Sequence, residues 1–154
     1  MKECVLDCCV AVKLWLKEPE SHAIRDWVAR ELEKPPSERI YCQVPEFFYA
    51  EAANVFWKKA TRTKDLPCEK VVPAIRQLNQ LSLICANPVR PFIVRSAELA
   101  LQYGDLAVYD ACYLALAEFY DCPLVTDDAR LLNLLAGAAH ARYLLPLGEF
   151  LRTA

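Results

Sequence analysis

The chain has 154 residues, 55% of them hydrophobic and 25% charged, with a formal net charge of −2. That length suits a single domain, residues 1–154, and leaves no room for two ordinary ones, while the charge balance excludes a protein that grips nucleic acid mainly through a global positive field. No apolar run reaches the ~18 to 20 residues of a membrane span, so no membrane role is expected.

The N-terminal stretch MKECVLDCCVAVKLWLKEPE is apolar, but Asp7 and Lys13 interrupt it and no small-residue cleavage site follows. It reads as the start of a mature, cytoplasmic protein. Within it, ECVLDC is a short strand-like run and CVAVKLWLKE can coil. PESHAIRDWVARELEK then places Ile24, Val28 and Leu32 at the spacing of an amphipathic helix, which Pro35 and Pro36 stop. RIYCQV is a second strand, followed by Pro45 and a helix from about Glu46 to Ala60. A helix over Cys68 to Gln80 follows Pro67, and LSLICA reads as a third strand. PFIVRSAELALQYG predicts a helix ending at Gly104, and DLAVYDACYLALAEFY another. CPLVTD is a fourth strand, DARLLNLLAG a short helix and ARYLLPL a fifth strand. Short apolar strands alternating with helices imply an α/β fold, a three-layer sandwich with a mostly parallel central sheet flanked by helices.

None of the eight cysteines forms a C-x-x-C pair, and only His22 and His140 are available to complete a zinc site. Buried, reduced thiols are expected instead. The densest basic run, KKATRTK from Lys58 to Lys64, suits the C-terminal dipole of a solvated helix end.

The acids raise a different question, because carboxylates in core-forming sequence need a cation or hydrogen-bond donors. Asp7 closes the first strand, Asp127 and Asp128 follow the fourth, and Asp110 lies at a helix N-terminus. Ligands of open parallel sheets bind just beyond the carboxyl ends of strands. Glu51 shares a helix face with Phe47, Phe48, Asn54 and Val55, a line that continues to Lys58. Each acid also has a plain structural role open to it: Asp110 and Asp128 as helix caps, Asp7 in a turn, Glu51 paired with a lysine. Four carboxylates meeting in one cleft would repel unless divalent cations neutralised them, and oxygen-only ligation points to Mg²⁺ or Mn²⁺. Metal-dependent hydrolysis of a phosphodiester is the chemistry such a site performs.

The segments VLDCCVAVKLWLKEPES, VPEFFYAEAANVFWKKA and AVYDACYLALAEFYDCPLVTDDARLL resemble the PIN-domain nucleases, and within them the VapC-type toxin ribonucleases. The resemblance implies an acidic pocket that binds Mg²⁺ or Mn²⁺ and cleaves RNA, a homodimer, and a cognate antitoxin protein. It assigns catalytic and metal-binding roles to Asp7, Glu51, Asp110 and Asp128, with Asp127 as an accessory ligand and Thr126 as the polar residue that orients a carboxylate or water. One departure stands out: the family carries Ser, Thr or Asn two residues after the first acid, and this chain has Cys9, a poorer hydrogen-bonding group. Asn54 sits in the helix motif as a supporting residue, and Lys13 and Lys58 are the candidate substrate contacts.

Two functions of different class follow. The first is a metal-dependent endoribonuclease acting as the toxin of a toxin–antitoxin pair. The second is a non-catalytic module of the same fold whose acidic pocket seats an arginine from a partner. Phosphoryl transfer through an aspartyl intermediate would want an acid two residues after Asp7, where Cys9 stands.

Overall fold

The computed structural model describes residues 2–154. Five strands form one sheet in the order β3-β2-β1-β4-β5: β1 is Glu3–Leu6, β2 Tyr41–Pro45, β3 Ile84–Asn87, β4 Leu124–Thr126 and β5 Leu144–Pro146. Every pairing is parallel, so the sheet is wholly rather than mostly so. The central strands are buried on both faces, with Cys4, Val5, Val44, Leu124 and Val125 at 0% exposure, which is why they read as continuous apolar runs. Each such Val or Leu contributes roughly 1.5–3 kcal/mol of burial.

The strand order reverses between β1 and β4. Chain order climbs from β1 through β2 to β3 on one side and resumes at β4 on the other, so a crevice opens where the two paths diverge. Val5 pairs with Leu124 and Leu6 with Val125, and the Asp7 amide donates to the Val125 carbonyl at 3.0 Å. This register brings the residues just after β1 beside those just after β4.

Helices cover both faces. The short α1 (Cys8–Ala11) passes into a 3-10 turn at Val12–Leu14, as the coiling of CVAVKLWLKE suggests. α2 spans Ser21–Glu33, α3 Phe48–Lys58, α4 Cys68–Asn79, α5 Ile93–Tyr103, α6 Val108–Tyr120, α7 Ala129–Leu134 and α8 Leu147–Thr153. α6 is apolar nearly all round, with every residue from Ala111 to Ala117 buried; it packs on β1, β2 and β4 while α5 covers its outer side. α5 ends at Gly104, whose φ of +68° is the left-handed conformation that glycine adopts without strain. α3 runs on through one π turn, Lys59–Thr63, before Lys64 turns the chain at φ +59°.

Two expectations are corrected. The buried face of α2 is Ser21, Ile24, Trp27 and Glu31, not the line through Leu32, which is 39% exposed. Trp27 packs edge-to-face on Phe150 of α8 at 5.0 Å, and this contact sets the helix rotation. Glu31, carried inside by that rotation, accepts from the Ile40 amide at 2.8 Å and from Lys34 at 2.6 Å, which satisfies its carboxylate and ties the Pro35–Pro36 corner to the sheet. The fifth strand is also shorter than ARYLLPL, because Ala139–Tyr143 winds as a 3-10 turn. All eight cysteines are free thiols. Among the described residues no helix is long and apolar enough to cross a membrane.

Candidate active site

The crevice at the strand reversal is a cavity of about 280 Å³ whose walls include Asp7, Glu51, Asp110 and Asp128. These side chains come from four elements: the end of β1, the first turn of α3, the first turn of α6, and the residue that starts α7. Distances along the chain exceed 40 residues between most of them, so only the tertiary fold assembles the group.

Two of the acids do structural work at the same time. Asp7 caps α1, its Oδ1 accepting from the Cys9 amide at 3.1 Å, while Oδ2 accepts the Thr126 hydroxyl at 2.6 Å. Asp128 caps α7 through Oδ1, which accepts from the Arg130 and Leu131 amides at 2.8 and 3.2 Å. Capping therefore occupies one oxygen of Asp128 and leaves Oδ2 toward the cavity. Thr126, wholly buried, ties the two together: it donates to Asp7 and accepts from the Asp128 amide at 3.1 Å. Glu51 accepts from the Tyr113 hydroxyl at 2.6 Å.

The electrostatics follow from enclosure. Burial raises the Asp7 carboxyl above its usual range against the lowering pull of the Thr126 and Cys9 hydrogen bonds, and Asp110 adds like-charge repulsion. Burial likewise raises Glu51, with Asp7 and Asp110 pushing the same way and the Tyr113 bond opposing. Both acids would therefore release their protons more readily if a cation entered. Cys9 is far from a thiolate: burial and then Asp7 push its pKa up. Its sulfur accepts from the Asp127 amide at 3.4 Å and lies 3.7 Å from the Thr126 hydroxyl, so this thiol laces the turn after β1 to the turn after β4.

Other expected residues lie elsewhere. Asp127 points away from the acids and pairs with Lys13 at 2.8 Å. Lys13 is 4% exposed, held also by Glu18, Glu20 and the Pro19 carbonyl, so it is closed to a phosphate. Asn54 and Lys58 are exposed and do not line the acid cavity; Val55 and Lys59 do. The α3 face turned to the crevice runs 51, 55, 59 by steps of four, and the line drawn through 54 and 58 by steps of three and four is rotated off it. Lys59, missed in the sequence, bonds Glu18 at 2.6 Å, and Glu18 lines the cavity with it.

Arg130 is the other residue the sequence did not single out. Its Nη2 bonds Asp110 Oδ2 at 2.5 Å and stands 4.0 Å from Asp128 Oδ2, while Nη1 donates to the Asp105 carbonyl at 3.0 Å. A cation two residues after Asp128, between two acids of the set, was the available signal. Among the described residues no three His, Cys, Asp or Glu side chains are gathered closely enough to ligate a metal. Each acid is engaged by a protein partner instead: Arg130 bonds Asp110, Tyr113 bonds Glu51, Thr126 and the Cys9 amide bond Asp7, and the α7 amides bond Asp128. The donor set nonetheless suits a hard divalent cation, being all carboxylate oxygen with two enclosed acids raised by burial and mutual repulsion. Such an ion would take over the charge that Arg130 now neutralises.

A parallel sheet whose strand ends open onto a pocket of carboxylates is the architecture of a PIN domain. A model of the PIN-domain family matches residues 4–136, and the chain belongs to that family. Its members are generally nucleases and usually employ divalent metals. The crystal structure of PAE2754 from Pyrobaculum aerophilum superposes with a TM-score of 0.68, covering 97% of this chain and 87% of that one at 20% identity, and supports the fold. Among curated proteins no significant match is found.

Proposed function

We propose that this protein is a Mg²⁺- or Mn²⁺-dependent endoribonuclease that hydrolyses RNA phosphodiesters, and that it is the toxin of a toxin–antitoxin pair. The observation that carries the reading is that Asp7, Glu51, Asp110 and Asp128, from four separate elements, line one cavity at the strand reversal. When bound, a divalent cation supplies Lewis-acid polarisation of the phosphodiester and activation of a water. The chain's own part is to aim oxygens. Thr126 and the Cys9 amide fix Asp7, the α7 amides fix one oxygen of Asp128, and Tyr113 fixes Glu51. Arg130, half exposed beside Asp110, would be the residue to meet a non-bridging phosphate oxygen. The Cys9 thiol fills the place of a hydroxyl by accepting from the Asp127 amide of the turn, at the cost of a weaker acceptor.

A homodimer in the cytoplasm, silenced by a separate antitoxin chain, completes this reading. In purified form, Asp7→Asn and Asp110→Asn are expected to stay folded and to lose Mn²⁺-dependent cleavage of single-stranded RNA. Undiminished cleavage by either variant overturns the assignment. Growth arrest on expression of the wild type, relieved in Asp7→Asn, tests the toxin role.

A second reading draws on Arg130 itself: the pocket already seats a guanidinium on Asp110, as a non-catalytic module that captures a partner's arginine would. Calorimetry with Mn²⁺ separates the two, because only the nuclease requires the metal to outcompete that arginine.

A further inference from the structure

A second cavity, of about 540 Å³, adjoins the acid pocket and shares Glu51 and Asp110 with it; its remaining walls are Phe47, Ala50, Asn54, Ala107 and Tyr109. Its composition differs from the first. One wall is the Tyr109 ring, 67% exposed, whereas most aromatic rings of the chain are buried or half-buried. Tyr109 stands edge-to-face on Phe47 at 5.4 Å, and Phe47 stands edge-to-face on Tyr113 at 5.9 Å. Tyr113 is buried and its hydroxyl bonds Glu51 at 2.6 Å. A continuous row of rings therefore fixes the exposed face of Tyr109 relative to the acids. The small side chains of Ala50 and Ala107 leave room beside it, and the exposed Asn54 amide offers both a donor and an acceptor.

We propose that this groove is a nucleobase subsite, in which Tyr109 stacks on the base of the nucleotide next to the scissile phosphate and Asn54 bonds its edge. A planar group with a polar edge fits an aromatic wall, small neighbours and an amide, and the shared Glu51 and Asp110 make this groove continuous with the acid pocket. The occupant is single-stranded, because a stacked duplex offers no free base face. Other exposed aromatics lack this setting: Trp57 is covered by Arg62 at 5.2 Å, and Phe119 lies on the α5–α6 side of the molecule, packed against Phe92.

The inference rests on the nuclease reading, and the experiment keeps the two apart. Binding of a fluorescent single-stranded oligoadenylate, and of the same ribose-phosphate chain without bases, is measured by anisotropy in Ca²⁺ for the wild type, Tyr109→Ala and Tyr109→Phe, with Mn²⁺ affinity followed by calorimetry. The expected result is a loss of roughly 5- to 150-fold for Tyr109→Ala on the base-bearing chain, the range of one base–aromatic stack. Tyr109→Phe should bind as the wild type does, the abasic chain should bind all three alike, and Mn²⁺ affinity should not change. Equal binding by wild type and Tyr109→Ala overturns the subsite while leaving the nuclease reading intact. A wild type that neither binds nor cuts RNA overturns both. A Tyr109→Ala chain that changes its sedimentation but binds RNA normally assigns the ring to a protein contact and ends the proposal.

Discussion

Thr126→Val isolates the bond network that orients the acids. Valine is close to isosteric, so the wholly buried site keeps its packing and loses only the hydroxyl. Two strong bonds go with it, the 2.6 Å donation to Asp7 and the 3.1 Å acceptance from the Asp128 amide, together with the longer 3.7 Å contact to the Cys9 sulfur. A hydrogen bond to a charged group contributes about 1.5–3 kcal/mol, and an amide left without its acceptor costs about 1 kcal/mol more in this half-buried turn. The sum is roughly 2–4 kcal/mol, which in a domain of this size lowers the melting temperature by roughly 4–16 °C. The loss also has a pH signature. The hydroxyl favours ionised Asp7, so its removal drives an already raised pKa further up, and the deficit is full at neutral pH and shrinks as Asp7 is protonated toward acid. Thermal and urea denaturation in EDTA, followed by circular dichroism between pH 4 and 8, measure both effects, with Thr126→Ser as a control that retains the bonds. A loss below about 0.5 kcal/mol, or one that does not vary with pH, would refute the claim that Thr126 aims Asp7.

Glu51→Gln tests burial at the second enclosed acid. Because the folded pKa of Glu51 lies above its ordinary value, the wild type has this stability below the usual carboxylate range near 4 and loses it as pH rises. The metal-free variant should therefore melt higher than the wild type at pH 8 and level with it at pH 4; equal shifts at both would remove burial as the cause. Arg130→Gln should strengthen Mn²⁺ binding by roughly 1.4- to 5-fold in calorimetry, because the guanidinium it removes is 55% exposed and its ion pair with Asp110 contributes only about 0.2–1 kcal/mol. Unchanged or weaker metal affinity would show that Arg130 does not compete for the acids. Lys13→Met should cost about 1–3 kcal/mol of stability, read as a lower urea midpoint at constant slope, since Asp127, Glu18 and Glu20 lose the buried cation that gathers them. RNA binding should stay within twofold of wild type, and a collapse of binding without a loss of stability would restore Lys13 as a phosphate contact.

Local chemistry made much of the architecture legible. Alternating apolar runs and helical stripes announced the strands and helices, Pro45 and Gly104 marked where helices begin and end, and near-continuous apolarity in runs such as Leu124–Thr126 marked strands covered on both faces. Errors cluster where tertiary packing overrides periodicity. α2 turned Glu31 inward because Trp27 found Phe150, and α3 turned Lys59 rather than Lys58 to the crevice because its buried face, Phe48, Ala52 and Phe56, packs against α1 and α4.

For the pocket, residue types and their order along the chain were enough to nominate Asp7, Glu51, Asp110 and Asp128, since acids at strand ends and in first helical turns are local features. Which oxygen is free, and which is engaged, was not. Asp7 meets Thr126 across 119 positions only because β1 and β4 lie side by side, and Arg130 meets Asp110 only because α7 starts beside α6. A hydrogen bond or ion pair acts over a few ångströms and carries no mark in local sequence, so partner choice was settled by folding alone.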